Sequence, residues 1–122
     1  MTIYNDINKV LRLYFDTLYY CDLKKFDMVF HEQAIYVTAD ETKPLFRNMD
    51  TYRKCISKRK PPSSSNEPRK DYIDSIEIAG ENTARARVRC SIGTRNFVDF
   101  LTLIRDQNQW RIIAKVFQIS EN

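Results

Sequence analysis

The chain reads as an α+β domain with a mostly antiparallel sheet, and three features of the sequence predict it. Apolar residues recur at helical spacing near the start. The period then shifts to alternation. Four alternating runs close the chain, joined by turns of hairpin length. Taken in order, Ile3, Ile7, Val10, Leu11, Tyr14 and Leu18 form one apolar stripe, so 3–20 is an amphipathic helix, with Asp6 suiting the dipole at its start. Asp22 is placed to cap a shorter second helix that hides Leu23, Phe26, Met28, Val29 and Phe30. Residues 34–38 alternate as a strand, 44–47 make a short second one, and 39–43 form the turn between them. Asp50 caps a third helix over about 51–59, with Tyr52, Cys55 and Ile56 as its inner face. The proline- and serine-rich segment 59–70 is a loop, because the stretches on either side are too short for separate cores. Strands then cover 71–79, 82–92, 95–105 and 109–119, joined by Gly80-Glu81, Gly93-Thr94 and Asp106-Gln107-Asn108. The whole of 1–122 is expected to form a single domain.

Composition bounds the function. Of 122 residues, 43% are apolar, enough for one core without staples. Twenty basic residues against 16 acidic ones leave a net charge of +4, which suits an anionic ligand but falls short of the concentrated basicity of a nucleic-acid binder. No apolar run approaches the ~18 residues that span a bilayer, and the start of the chain lacks the basic and apolar regions of a signal peptide. Cys21, Cys55 and Cys90 are odd in number and widely spaced, which predicts reduced thiols and a cytoplasmic location. His31 is the one histidine, so a tetrahedral metal site is not expected. With Gly80 and Gly93 as the sole glycines there is no glycine-rich phosphate cradle, and no cofactor is expected.

The last two strands can be aligned. Reading Asp106-Gln107-Asn108 as a three-residue loop sets Asp99 opposite Lys115, Phe97 opposite Phe117 and Leu101 opposite Ile113. The other face pairs Val98 with Val116, Phe100 with Ala114 and Ile104 with Trp110. Both faces are then apolar. Helices cover one; a second copy of the chain is the expected cover of the other, giving a homodimer that buries some of Val98, Phe100, Ala114, Val116 and Trp110. In the strand 82–92, Arg85, Arg87 and Arg89 alternate with Ala84, Ala86, Val88 and Cys90, a cationic row facing solvent, a partner or an anion.

The order and spacing of these pieces are similar to those of a known superfamily. The segment YFDTLYYCDLKKFDMVFHEQAIY at 14–36 resembles the helix–helix–strand opening of nuclear transport factor 2-like proteins, and 88–117 resembles their closing strands. The combination of Phe30, His31 and Ala34 with VDFLTL at 98–103 and WRIIAKVF at 110–117 is most similar to the "putative lumazine-binding" branch. The resemblance implies a curved sheet wrapped around helices, a conical cavity and a homodimer. Relatives in the superfamily include ketosteroid isomerases, polyketide cyclases, dehydratases and non-catalytic transport adaptors, so fold alone does not choose among functions.

Candidate chemistry centres on Asp99, mid-strand among Phe97, Val98, Phe100 and Leu101. A carboxylate there is either paired or tuned for proton transfer. One reading is a structural pair with Lys115; the other makes Asp99 the proton-transfer group of an isomerase, cyclase or dehydratase, with Lys115 or a tyrosine steadying the oxyanion. His31 and Tyr14 join Asp99 as catalytic candidates; for His31 the competing reading is a corner residue that bonds loose backbone. In the fold implied by the resemblance, Tyr14, Tyr36 and Tyr52 line the cone from three elements. Cys55, Phe97, Lys115 and Phe117 complete the expected ligand-binding set. Three functions follow: a binding domain for a small aromatic or anionic molecule, which is ranked first; a cofactor-independent enzyme; and a protein-interaction adaptor.

Overall fold

The structure, a computed structural model, describes residues 2–121. Helices α1 (Ile3–Tyr20), α2 (Leu23–Val29) and α3 (Met49–Lys58) lie on one face of a six-stranded sheet. Its strands are β1 (Phe30–Thr38), β2 (Leu45–Arg47), β3 (Asp71–Ala79), β4 (Thr83–Ile92), β5 (Arg95–Asp106) and β6 (Gln109–Glu121). They are ordered β2-β1-β6-β5-β4-β3. Every neighbouring pair is antiparallel except β1 and β6. The α+β class is the one the sequence predicts.

The stripe of α1 is buried as expected through Ile7, Leu11, Tyr14 and Leu18, and the helix ends where Cys21 turns left-handed at φ 49°. Asp22 caps α2 by accepting from the Lys25 N–H at 3.1 Å. Phe30, read above as helical, instead opens β1: its N–H still closes the helix onto the Phe26 carbonyl, but its own backbone is extended. The cap of α3 is Asn48, which accepts from the Thr51 N–H at 2.9 Å; Asp50 sits inside the first turn, where it faces the dipole without capping. The loop 59–70 holds one short 3-10 turn, Pro62–Ser65, and Tyr19 ties it down by donating to the Glu67 carbonyl at 2.6 Å.

The β5–β6 register departs from expectation. Gln107 and Asn108 both take positive φ, 52° and 62°, so the turn is a two-residue one closed by Asp106 opposite Gln109. Ile113 is then left without a partner, because Thr102 pairs with Ala114 and Leu103 with Ile112. This β-bulge changes which residues face inward. Before it Trp110 and Ile112 are buried; after it Lys115 and Phe117 are. An unbroken alternation from Trp110 would have put Lys115 outside. Asp99 therefore lies opposite Phe117, and Leu101 opposite Lys115. Asp99 and Lys115 share the inner face as expected but are not directly cross-strand. Trp110, expected on the outer face, is in the core.

Candidate functional site

Two buried tyrosine pairs sit on the inner face of the sheet. In the first, the Tyr14 hydroxyl donates to Asp99 Oδ2 at 2.5 Å, and both residues have no exposed surface. Burial, then the Asp99 charge, pushes the Tyr14 phenol well above its ordinary range, so it stays protonated and can only donate here. Asp99 Oδ1 is buried without a hydrogen-bond partner. In the second pair, Lys115 Nζ donates to the Tyr52 hydroxyl at 3.2 Å. Burial works against the ammonium, but Tyr52 and Asp99, followed by Tyr36 and Cys90, outweigh it and hold Lys115 above the usual lysine range. Four rings surround it: Tyr14, Tyr36, Tyr52 and Phe117 have centroids 5.1–5.6 Å from Nζ. Such contacts are attractive because the ring face is negative. Lys115 makes no ion pair with Asp99; the carboxylate acts on it at a distance.

Lys115 forms part of the wall of a cavity of about 250 Å³ at the end of the sheet where α1 and α3 finish. Its aromatic wall is continuous: Tyr36 and Tyr52 pack tilted by 44° with centroids 4.4 Å apart, Tyr36 meets Phe117 edge-on at 4.8 Å, and Phe97 follows at 6.1 Å from Phe117. Leu18, Leu45, Ile92 and Ile119 supply apolar wall, and Cys90 contributes a thiol. Burial, and then Asp99, pushes that thiol up from its ordinary 9.0 to about 12, so it is inert as a nucleophile. Arg47, Arg59 and Arg95 reach the same space with Glu41. Arg95 is bound to Glu41 at 2.8 Å and Glu121 at 3.3 Å. Arg47 lies over the Tyr36 ring at 5.1 Å. Among the described residues neither Arg47 nor Arg59 has an ion-pair partner.

Of the residues singled out in the sequence, Tyr36, Tyr52, Phe97, Lys115 and Phe117 line the cavity. Tyr14 and Asp99 do not; they form a sealed layer beneath it. Cys55 packs half-buried against the core from α3, away from the wall. His31 is elsewhere. It fills the irregularity in β1 where pairing with β6 breaks between Phe30 and Ile35. Its Nδ1 accepts from the Gln33 N–H at 3.1 Å, so Nε2 carries the proton and donates to Asp106 Oδ2 at 3.0 Å. The backbone it bonds is thus that of β1 rather than the end of α2, and no His31–Asp99 hydrogen bond forms. The sequence does not mark Arg47, Arg59 and Arg95 as site residues; they come from an edge strand, a helix end and the start of β5. The row of Arg85, Arg87 and Arg89 points outward, where Arg85 meets Glu77 and the other two share Asp74.

The fold recurs among solved structures. A nuclear transport factor 2-like protein of unknown function from Shewanella baltica OS155 superposes with a TM-score of 0.86 at 24% identity, covering 100% of this chain and 99% of that one. Another, from Silicibacter pomeroyi DSS-3, gives 0.83 at 21%, covering 98% and 100%. A cystatin-like fold protein from Burkholderia xenovorans LB400 gives 0.72 at 14%, covering 97% and 92%. A curved open sheet with helices on its inner face is thus a nuclear transport factor 2-like fold. The chain belongs to the family described as "Putative lumazine-binding", whose model matches residues 4–118. No protein with a curated description matches it.

Proposed function

We propose that the domain binds a small molecule in the cavity above Lys115. The observation that carries this reading is the convergence of aromatic walls and a few polar groups on one partly open cleft, a common make-up of a ligand site. The family description points the same way. A proton-transfer role for Asp99 has less support: its carboxylate is fully buried and engaged by Tyr14, and substrate in the cavity would not touch it. A thermal-shift screen of flat heterocycles, lumazine included, and of polyketide-like acids tests the reading, since a ligand that binds only the folded state raises Tm by mass action. A screen without a single shift, with no change in the NMR signals of Cys90 and Phe97, would reject it.

We also infer that a second copy covers the outer face of the sheet. Ile35, Phe100 and Val116 are exposed there on adjacent strands, and Phe46 is exposed on the edge strand β2. Beside this apolar strip stand both signs of charge, Arg85, Arg87 and Arg89 with Asp74 and Glu77, so the face can complement itself about a twofold axis. Sedimentation at tens of micromolar, an order-of-magnitude range for specific interfaces, should show a dimer that Val116→Glu dissociates; a wild-type monomer removes the proposal.

A further inference from the structure

The polar side chains on the cavity wall are unequal in sign. Among the described residues Lys115, Arg47, Arg59 and Arg95 are the wall's cations, and its single carboxylate, Glu41, is already bound to Arg95. Lys115 is the deepest. Its ammonium has three N–H donors and spends one on Tyr52, and the open volume it borders is this cavity. Asp99 offsets its charge from below, with Oδ2 held by Tyr14 and no hydrogen bond from the ammonium to the carboxylate. Arg47 and Arg59 stand at the wall without a carboxylate partner among the described residues. In addition, the three cavity rings that would suit a cationic guest, Tyr36, Tyr52 and Phe117, already surround the protein's own lysine. A cationic ligand would meet like charge, which is how a site rejects the wrong class.

We infer that the ligand is an aromatic carboxylate of one or two fused rings, its carboxylate meeting Lys115 and the Arg47–Arg59 side of the wall and its ring lying against the surface made by Tyr36, Phe117 and Phe97. This rests on the reading of the cavity as a ligand site and adds the charge and size of the guest. Size follows from the volume: about 250 Å³ is below the ~300–1,000 Å³ typical of drug-sized sites. Charge follows from the donors. Guanidinium groups match a carboxylate in two-pronged geometry, and a buried ammonium adds strength because water competes little there.

The test compares matched pairs that differ in charge alone: benzoate with benzamide, 2-naphthoate with 2-naphthamide, and quinoline-2-carboxylate with its amide. Isothermal titration on the full chain should show at least one acid binding about tenfold or more tighter than its amide, a gap of ~1.4 kcal/mol. Added salt should narrow that gap. Lys115→Met should abolish it. Because Lys115 is buried and its variant can lose the fold, Arg47→Gln/Arg59→Gln carries the same test at the wall and should cut the preference severalfold. Amides that bind as well as their acids, or a preference untouched by the double arginine variant, overturn the charge inference while leaving the cavity a ligand site. Binding by inorganic phosphate as tight as by the best acid removes the aromatic part. If no member of any pair binds, acid or amide, the cavity reading itself falls.

Discussion

Tyr14–Asp99 and Tyr52–Lys115 are the same device used twice, a phenol bonded to a buried charge, yet they face different surroundings. Tyr14 and Asp99 lie under the floor, with no exposed surface and one carboxylate oxygen without a partner. Tyr52 and Lys115 lie at the floor and border open space. Burial of an ionisable group does not by itself mark a working site. Access does. Asp99 drew attention because a carboxylate amid apolar residues must be held by something; the structure shows what holds it. Lys115 is as unusual for a buried residue, and it is the one a ligand can touch.

Lys115 shares the inner face with Trp110 because of the bulge at Ile113, and a change of alternation there should have the largest effect. Deleting Ile113 alone takes out the extra residue and leaves Ile112, Ala114 and Lys115 alternating in, out and in, so both sets stay inside. Deleting Ile113 together with Ala114 breaks the alternation, so either Trp110 and Ile112 or Lys115 and Phe117 must turn outward. Exposing one or two large apolar side chains costs roughly 1.5–6 kcal/mol, at ~1.5–3 each. Urea unfolding should record that loss for the double deletion and far less for the single one. Equal effects of the two would mean that the bulge does not set the faces.

Next in size is the floor itself. Asp99→Ala strips the acceptor from Tyr14 and the balancing charge from Lys115, and breaking such a buried arrangement costs about 3–5 kcal/mol. Asp99→Asn, which still offers Tyr14 an oxygen, should recover part of this. A loss under ~1 kcal/mol, the range of exposed pairs, contradicts the structural reading of Asp99.

How much of this was legible in the sequence depends on which residues mark themselves. Gly80 and Gly93 take φ 67° and 61° and mark both hairpins; Gly93-Thr94 is the two-residue turn expected, whereas Ala79 opposite Thr83 makes the β3–β4 turn one residue longer than Gly80-Glu81. The β5–β6 turn carries no glycine. Gln107 in a left-handed conformation is not a residue type that predicts itself there, and Asp106-Gln107-Asn108 reads as a longer loop. Nothing in Ile112-Ile113-Ala114 marks a bulge, because all three are apolar. Two errors therefore compensated for Lys115, which reached the inner face anyway, and did not for Trp110. The aromatic wall was legible because those residues alternate inward on regular elements. Arg47, Arg59 and Arg95 were not, since only the tertiary fold brings them together.

The two pairs also share a pH signature. Tyr14, Lys115 and Cys90 all hold their protons to higher pH when folded than when unfolded. Above about pH 9 the unfolded chain therefore binds fewer protons, and stability should fall as pH rises, by at most about 1.4 kcal/mol per unit for each group. Below that point the contribution is complete. Cys90 titrates earliest, from 9.0 unfolded to about 12 folded. Denaturation series from pH 8 to 11, stated as a working range of about three units, should show the decline, and Cys90→Ser should flatten its onset. Stability that rises over this range would contradict the shifts at both pairs.

The smallest effect sharpens the comparison most. Tyr52→Phe and Tyr14→Phe each remove one hydroxyl from a buried bond to a charged group. For Tyr14 the loss leaves Asp99 with no donor on either oxygen and no open space from which water could replace it, so about 1.5–3 kcal/mol is expected. For Tyr52 the orphaned group is an ammonium that still has four rings around it and a cavity in front of it. Water there can accept the freed N–H, and the net loss should be only about 0.5–1 kcal/mol. Ligand affinity should respond in the opposite order. Tyr52→Phe frees a donor at the cavity floor and should alter binding of an aromatic acid, whereas Tyr14→Phe should leave it unchanged in the fraction that folds. Titration of both variants with 2-naphthoate, beside their unfolding curves, gives the readout. If Tyr14→Phe changes affinity more than Tyr52→Phe does, the sealed pair communicates with the cavity and the division drawn between them is wrong.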